Sequence, residues 1–270
     1  MDERLKYPIL LVHGMGFRDS KIINYWGRIP KVYKNLGCEV YYANQDSNAT
    51  SETNAKIIAR KIDEILLKTG KEKINIIAHS KGGIDCRYAI THLNMASKVA
   101  SLTTISTPHN GSITMDFLMK FPHPIIRFGS FFTDLWYRIL GDKKPETFKV
   151  INSFTTEKAL EFNRLTPDSS KVFYQSYAFV MKNFCSDIFM WLPNLVVYLI
   201  EGENDGFLTP KAVEWGEFKG VFKGQGLRGI SHCDEVDMRR WRLTKKKGEN
   251  VSDIIDIYKD IIFYLESKGF

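Results

Sequence analysis

The stretch Lys73-Ile74-Asn75-Ile76-Ile77-Ala78-His79-Ser80-Lys81-Gly82-Gly83 constrains this chain more than any other. Ile74, Ile76 and Ile77 are β-branched and apolar, as a strand buried on both faces requires. The run stops at one serine and passes into two glycines, so it reads as buried strand, abrupt turn and helix start. Ala78 and Gly82 flank Ser80 two positions away on each side, the small-x-Ser-x-Gly spacing of a nucleophile elbow. In an elbow the serine backbone is strained, its hydroxyl is thrust outward, and larger flanking side chains would collide. Gly82-Gly83 lets strand and helix approach closely. A serine in an ordinary strand-to-helix turn is the plain alternative, and the rest of the chain has to decide.

Pro8-Ile9-Leu10-Leu11-Val12 is a second buried strand, ending in the glycine-interrupted turn His13-Gly14-Met15-Gly16. Another strand is expected over Cys38–Tyr42. From Thr50 to Lys68, Ala55, Ile58, Ala59, Ile62, Ile65 and Leu66 recur at helical spacing and predict an amphipathic helix. The elbow launches a helix through about Asn94, and Val99–Ser106 is the next strand, ending at Thr107-Pro108-His109-Asn110-Gly111. Strands alternating with helices predict an α/β fold with a mostly parallel, doubly wound sheet. Between Ser112 and about Pro167 the alternation stops. Phe117, Phe121, Phe128, Phe131, Phe132, Trp136 and Tyr137 crowd a region broken by Pro122 and Pro124. This segment reads either as extra core or as a helical cap over the strands' carboxyl ends, where open α/β sheets bind ligands. Lys171–Val180 is a further strand. The apolar run Ile188–Ile200, interrupted by Pro193, leaves helix and strand both open, and Ser252–Glu266 predicts a closing helix. With no repeat, low-complexity tract or linker, residues 1–270 read as one domain with a cap or lid insertion at about 112–167.

No window reaches the ~18 uninterrupted apolar residues of a membrane span. The chain opens Met-Asp-Glu-Arg-Leu-Lys-Tyr-Pro and moves straight into a strand, leaving no room for a signal peptide. The expectation is therefore a cytoplasmic protein if the chain is complete and an extracellular one if it is a trimmed mature form. Cys38, Cys86, Cys185 and Cys233 form no CxxC pair and read as free thiols. The net charge of +7 includes a cluster at Arg239-Arg240-Trp241-Arg242 and Lys245-Lys246-Lys247. A solvated basic face is the plainer reading of it than attraction to anionic lipid, and no nucleic-acid partner is expected.

An activated serine needs a base, and the base needs an acid to orient it. Where an elbow serine is the nucleophile, the chain order is serine, acid, histidine. His13 and His79 precede Ser80, His92 lies on the helix the elbow launches, and His109 and His123 leave little room for an acid. His232, in Gly229-Ile230-Ser231-His232-Cys233-Asp234, remains. Asp205, in the turn Asn204-Asp205-Gly206, is the favoured acid, with Glu203, Glu201 and Asp187 as rivals. The tetrahedral oxyanion needs two N–H donors. By position these are the amides of Lys81, just after the serine, and of Met15, in the loop after the first strand.

Tyr7-Pro8-Ile9-Leu10-Leu11-Val12-His13-Gly14-Met15 resembles the opening strand and oxyanion loop of secreted bacterial triacylglycerol lipases, members of the α/β-hydrolases. Ala78-His79-Ser80-Lys81-Gly82-Gly83 looks like their elbow in its alanine-first variant. Ser106–Ser112, Ile151–Glu157 with Phe162-Asn163, Glu203–Gly206 and His232–Val236 resemble further blocks, in family order across residues 7 to about 240. The resemblance implies Ser80, Asp205 and His232 as the triad. It also implies a structural calcium with Asp234 and Asp187 as ligands, but Met238 stands where the pattern has glutamine, so calcium is allowed and not predicted. Histidines of the zinc site in thermophilic relatives have no counterpart between Gly14 and Ala78.

The expectation is a lipase- or esterase-like hydrolase acting on carboxylic esters with apolar acyl chains, with no required cofactor and with transient contact at a lipid interface. An acyltransferase or thioesterase using the same triad is the alternative, followed by a non-catalytic binding protein on the same scaffold. The aromatic residues of 112–140 are expected to favour acyl chains over polar acids.

Overall fold

The computed structural model of the chain describes residues 4–17, 24–246 and 248–270. Met1, Asp2 and Glu3 of the opening segment, and Lys247 of the basic run, lie outside the described residues. Among the described residues six strands, β1 (Ile9–Val12), β2 (Val40–Tyr42), β3 (Ile74–His79), β4 (Val99–Ile105), β5 (Phe173–Val180) and β6 (Glu217–Lys223), form one sheet in the order β2-β1-β3-β4-β5-β6. Every neighbouring pair is parallel. The helices are α1 (Ile29–Asn35), α2 (Ser51–Thr69), α3 (Lys81–His92), α4 (Ile113–Leu118), α5 (His123–Ile139), α6 (Thr147–Ser153), α7 (Thr156–Leu165), α8 (Trp191–Glu201), α9 (Pro210–Val213) and α10 (Ile254–Ser267).

Double winding follows from the period of two along each strand. Ile9 and Leu11 of β1 point into a core with Tyr33 of α1 and Tyr258, Ile261, Ile262 and Leu265 of α10. Leu10 and Val12 point into the opposite core with Ile58 and Ile62 of α2 and Ala89 and Ile90 of α3. Both faces are therefore covered, which is why β1 and β3 read as continuous apolar runs. Along α2, Ala55, Ile58, Ala59, Ile62 and Ile65 are all buried, as their spacing predicts, and Gly70 ends the helix at φ 68°.

Several elements differ from the sequence reading. α1 and the edge strand β6 have no predicted counterpart: α1 has only seven residues, and Lys219-Gly220 interrupts the apolar pattern of β6. The open choice at residues 188–200 resolves as helix, because Pro193 falls in the first turn of α8, where its missing N–H would have no intrahelical acceptor. The prolines at 122 and 124 likewise set the start of α5. The segment from 113 to 165 is helical throughout its regular parts, α4 to α7, and its aromatic residues are not core. Within α5 only Ser130 is buried, while Phe128 is 67% and Ile139 71% exposed. Among the described residues no helix is long and apolar enough to cross a membrane.

Candidate active site

The parallel strands end on a common edge, and their carboxyl ends bring the predicted residues together. Val12 of β1 pairs with Ala78 of β3, and His79 pairs with Ile105 of β4. Ser80 follows directly at φ 53°, ψ −133°, a conformation that L-residues rarely adopt. Its N–H donates to Ile105 O at 2.8 Å and its carbonyl accepts from Thr107 Oγ1 at 2.7 Å, so contacts on both sides fix the strained turn. The surrounding glycines are required sterically. A Cβ on Gly14 would lie 2.7 Å from Ser80 Cβ, and one on Gly82 would lie 2.5 Å from His13 O.

Lys81 begins α3, so its amide belongs to the first turn, whose N–H groups have no intrahelical acceptor. Its side chain points elsewhere: Nζ donates to Asp85 Oδ1 at 2.8 Å and Oδ2 at 2.7 Å, in a pair that is almost wholly buried. Met15 lines the same cavity as Ser80 and follows Gly14, whose own N–H is taken by Tyr25 Oη at 3.0 Å. Met15, in the loop after β1, thus shares a cavity with Ser80, and Lys81 adjoins the serine at the start of α3.

Asp205 and His232 meet across the end of β5. Met181, one residue past β5, donates to Asn204 O at 2.8 Å, and Ile230 N–H donates to Val180 O at 2.9 Å. His232 N–H reaches Asp205 O at 2.7 Å, and its ring Nδ1 lies 2.8 Å from Asp205 Oδ2. The Phe207 and Leu208 amides both donate to Asp205 Oδ1 at 2.8 Å. Burial pushes the Asp205 carboxyl up, but the charge and hydrogen bond of His232, with the further hydrogen bonds it accepts, outweigh burial and hold it below the usual carboxylate range. With Nδ1–H committed to this carboxylate, His232 Nε2 is left as the basic nitrogen. No hydrogen bond joins Ser80 Oγ to His232 among the described residues; both line one cavity of about 370 Å³. Met115, Leu118, Ile151, Phe154, Met190 and Phe207 make most of its remaining wall apolar.

Behind the histidine lies a buried polar chain that sequence reasoning missed. Burial, reinforced by the charge of Asp205 nearby, raises Glu235 well above the usual carboxyl range. Glu235 Oε2 lies 3.1 Å from His79 Nε2, and His79 Nδ1 lies 2.6 Å from Tyr25 Oη. Burial, with His232 nearby, lowers His79 well below the usual imidazole range, which favours the neutral ring between Tyr25 Oη at Nδ1 and Glu235 Oε2 at Nε2. Because Tyr25 also accepts the Gly14 amide, the chain runs from Glu235, whose Oε2 lies 3.7 Å from His232 Nδ1, to the loop of Met15. The only sequence signal was Glu235 three residues past His232, which an exposed acid would also satisfy. His79, His232 and Glu235 could bring three ligand atoms within 4.8 Å, but these atoms are engaged in this hydrogen-bonded chain.

The other candidates are used elsewhere. His13 lies 3.0 Å from Gln45 O, His92 3.0 Å from Thr166 Oγ1, His109 stacks on Trp215, and His123 packs on Phe148. Among the rival acids, Glu201 receives the Thr114 amide at 2.7 Å and Glu203 pairs with Lys223 at the surface. Asp187 joins Asp234 at the position where the resemblance implies calcium. There the donor set does not suit the ion, because both carboxylates are already taken by Arg228 and Arg239, at distances from 2.8 to 3.6 Å. The cysteines are free thiols.

Comparison with known proteins agrees with this architecture. Residues 8–225 match the model of the palmitoyl protein thioesterase family. Triacylglycerol lipase 2 of Saccharomyces cerevisiae is 31% identical over 92% of this chain and 75% of its own length. A triacylglycerol lipase of Pseudarthrobacter phenanthrenivorans is 35% identical over 119 residues, 42% of this chain and 36% of its own. The crystal structure of the Staphylococcus hyicus lipase superposes with a TM-score of 0.71 at 17% identity, over 98% of this chain and 96% of that one, a likeness of fold. The chain belongs to the palmitoyl protein thioesterase family, within the lipase and esterase class of α/β-hydrolases.

Proposed function

We propose that the chain hydrolyses carboxylic esters with apolar acyl chains, using Ser80, His232 and Asp205. The observation that carries this reading is Ser80, held at φ 53° on the wall of an apolar cavity shared with a histidine whose Nδ1 lies 2.8 Å from a buried aspartate. Ser80 Oγ attacks the acyl carbon as His232 Nε2 takes its proton, and the carbonyl electron pair moves to the oxygen held by the Met15 and Lys81 amides. Collapse expels the alcohol, protonated by His232, and leaves an acyl-enzyme that water opens with the same base. Asp205 orients the ring and stabilises the imidazolium. All charge movement is handled by side chains and amides, so no metal or cofactor enters these steps.

The acyl chain lies against Met115, Leu118, Phe154 and Phe207. The outward aromatic face of α5 does not reach this cavity; of that helix, Tyr137 does. We assign the outward face to transient contact with the surface of aggregated lipid, and residues 112–167 to a cap over the cavity. A thioester passes through the same acyl-enzyme, and the thioesterase description of the matched family favours it as the second reading. The relative covering most of both chains, named a triacylglycerol lipase, favours the oxygen ester.

Ser80→Ala is expected to lower turnover of a p-nitrophenyl ester at least ~10⁴-fold with an unchanged circular dichroism spectrum. Activity like the wild type in that variant would sink the assignment. Fluorophosphonate labelling of Ser80 tests activation directly, and competition between acyl-glycerol and acyl-thioester substrates ranks the two readings.

A further inference from the structure

We infer that Arg228 and Arg239 form an internal cation clamp which positions the His232 loop in place of a bound metal. The clamp joins two segments 47 residues apart. Asp187 follows the short 3-10 turn Phe184–Ser186 beyond β5, and Asp234 opens the 3-10 turn two residues after His232. Both carboxylates are essentially excluded from solvent, at 2% and 1% exposure. Two buried carboxylates side by side need positive charge to remain folded.

Two guanidiniums supply it. Arg228 Nη2 lies 2.9 Å from Asp234 Oδ2 and 3.6 Å from Asp187 Oδ2. Arg239 Nε lies 2.8 Å from Asp234 Oδ1, and its Nη2 3.3 Å from Asp187 Oδ2. Each arginine thus bridges both acids, and Arg239 Nη2 also donates to Ser186 O at 3.2 Å. Burial pushes the Asp234 carboxyl up to about 7, so two guanidiniums supply at least the positive charge that a divalent ion would bring to this pair. A second cation entering the same space would meet guanidinium repulsion and would find three of the four carboxylate oxygens accepting hydrogen bonds and the fourth, Asp234 Oδ1, facing Arg239 Nε.

The clamp reaches the site through Ser231. Its Oγ donates to Asp187 Oδ2 at 2.7 Å and accepts the Asp234 amide at 3.2 Å, fixing the backbone on either side of His232. Arg239, the first residue of the basic run, is therefore turned inward, whereas Arg240 and Trp241 are exposed. Arg228 and Arg239 are positioning residues, since neither lines the cavity.

The kinetic arm of the test rests on His232 as the base; the thermal arm does not. Purified full-length protein, and Ser80→Ala alongside it, should melt within about 1 °C in EDTA and in millimolar calcium. A loss of several degrees in EDTA, recovered by calcium, would overturn the clamp whether or not Ser80 is the nucleophile. Arg239→Gln and Arg228→Gln should each lower the melting temperature by several degrees. Each should reduce kcat about tenfold or more on a soluble p-nitrophenyl ester with KM within about twofold. Arg239→Lys, which keeps the charge, should recover most of the melting temperature. Glutamine variants that melt and turn over like the wild type would equally refute it.

Discussion

Behind Ser80 the chain hides polar groups, and along the segment from 113 to 139 it shows hydrocarbon. Asp205, Glu235 and His79 are at most 2% exposed. Asp205 is paired with His232 and Glu235 with His79, so the protein itself supplies partners to most of the polar side of the site, Glu235 Oε1 excepted. α5 is the opposite case, and α2 shows what it lacks. Both are long amphipathic helices, but α2 lays Ile58 and Ile62 against the sheet at 0% exposure, whereas α5 leaves Phe131 at 63% and Trp136 at 59%. An amphipathic pattern therefore states that an apolar face exists, and packing alone says what covers it. The buried polar groups find their partners within the chain, whereas among the described residues nothing covers the α5 face.

The comparison of helices can be broken with matched substitutions. Ile58→Ala in α2 is expected to cost about 2–5 kcal/mol by urea denaturation, the loss typical of an emptied core site. Phe131→Ala in α5 should cost no more than about 0.5 kcal/mol, because its ring is already in water. Equal losses would mean that α5 packs in solution against part of the chain. The next effect is smaller and kinetic. Phe131→Ser with Trp136→Ser should lower hydrolysis of emulsified triglyceride at least about tenfold, since burying even one aromatic ring in lipid is worth roughly 1.5–3 kcal/mol. Hydrolysis of a soluble short-chain ester should stay within about twofold. A parallel loss on both substrates would place these side chains in acyl binding instead.

What could be read in advance follows the same division. The buried strands, the elbow and α2 were legible because burial on a sheet imposes local patterns: continuous β-branched runs, small residues about Ser80, apolar residues at helical spacing. His232 and Asp205 followed from chain order, though Asp205 kept three rivals until Glu201, Glu203 and Asp187 were found engaged elsewhere. Glu235, His79 and Tyr25 carried no such mark. Their polarity is offset by partners 54 and 156 residues away in sequence, a juxtaposition only the folded chain creates. The aromatic residues of α5 were visible but undirected, since density of apolar side chains does not tell core from exposed face. The arginine clamp was hidden for a further reason, as Arg239 belongs to a basic run that reads as a solvated surface.

The polar side can be sharpened through pH, where the smallest effect is expected. Glu235 titrates well above the ordinary carboxyl range because it is buried beside Asp205. In the unfolded chain a glutamate releases its proton near pH 4.3. Between that pH and its folded pKa, the folded protein holds a proton that the unfolded chain has lost. Glu235 therefore contributes its full stability below about pH 4.3 and loses it progressively as pH rises toward the folded value. Asp205 has the opposite sign: depressed in the fold, it contributes stability above the unfolded aspartate pKa and loses it in acid. Glu235→Gln removes the first titration and leaves the second. The melting temperature of the variant minus that of the wild type should accordingly rise from pH 5 to pH 8. A flat difference would show that Glu235 is ionised in the fold, and the buried chain linking Glu235 to the Met15 loop would then need a different proton arrangement.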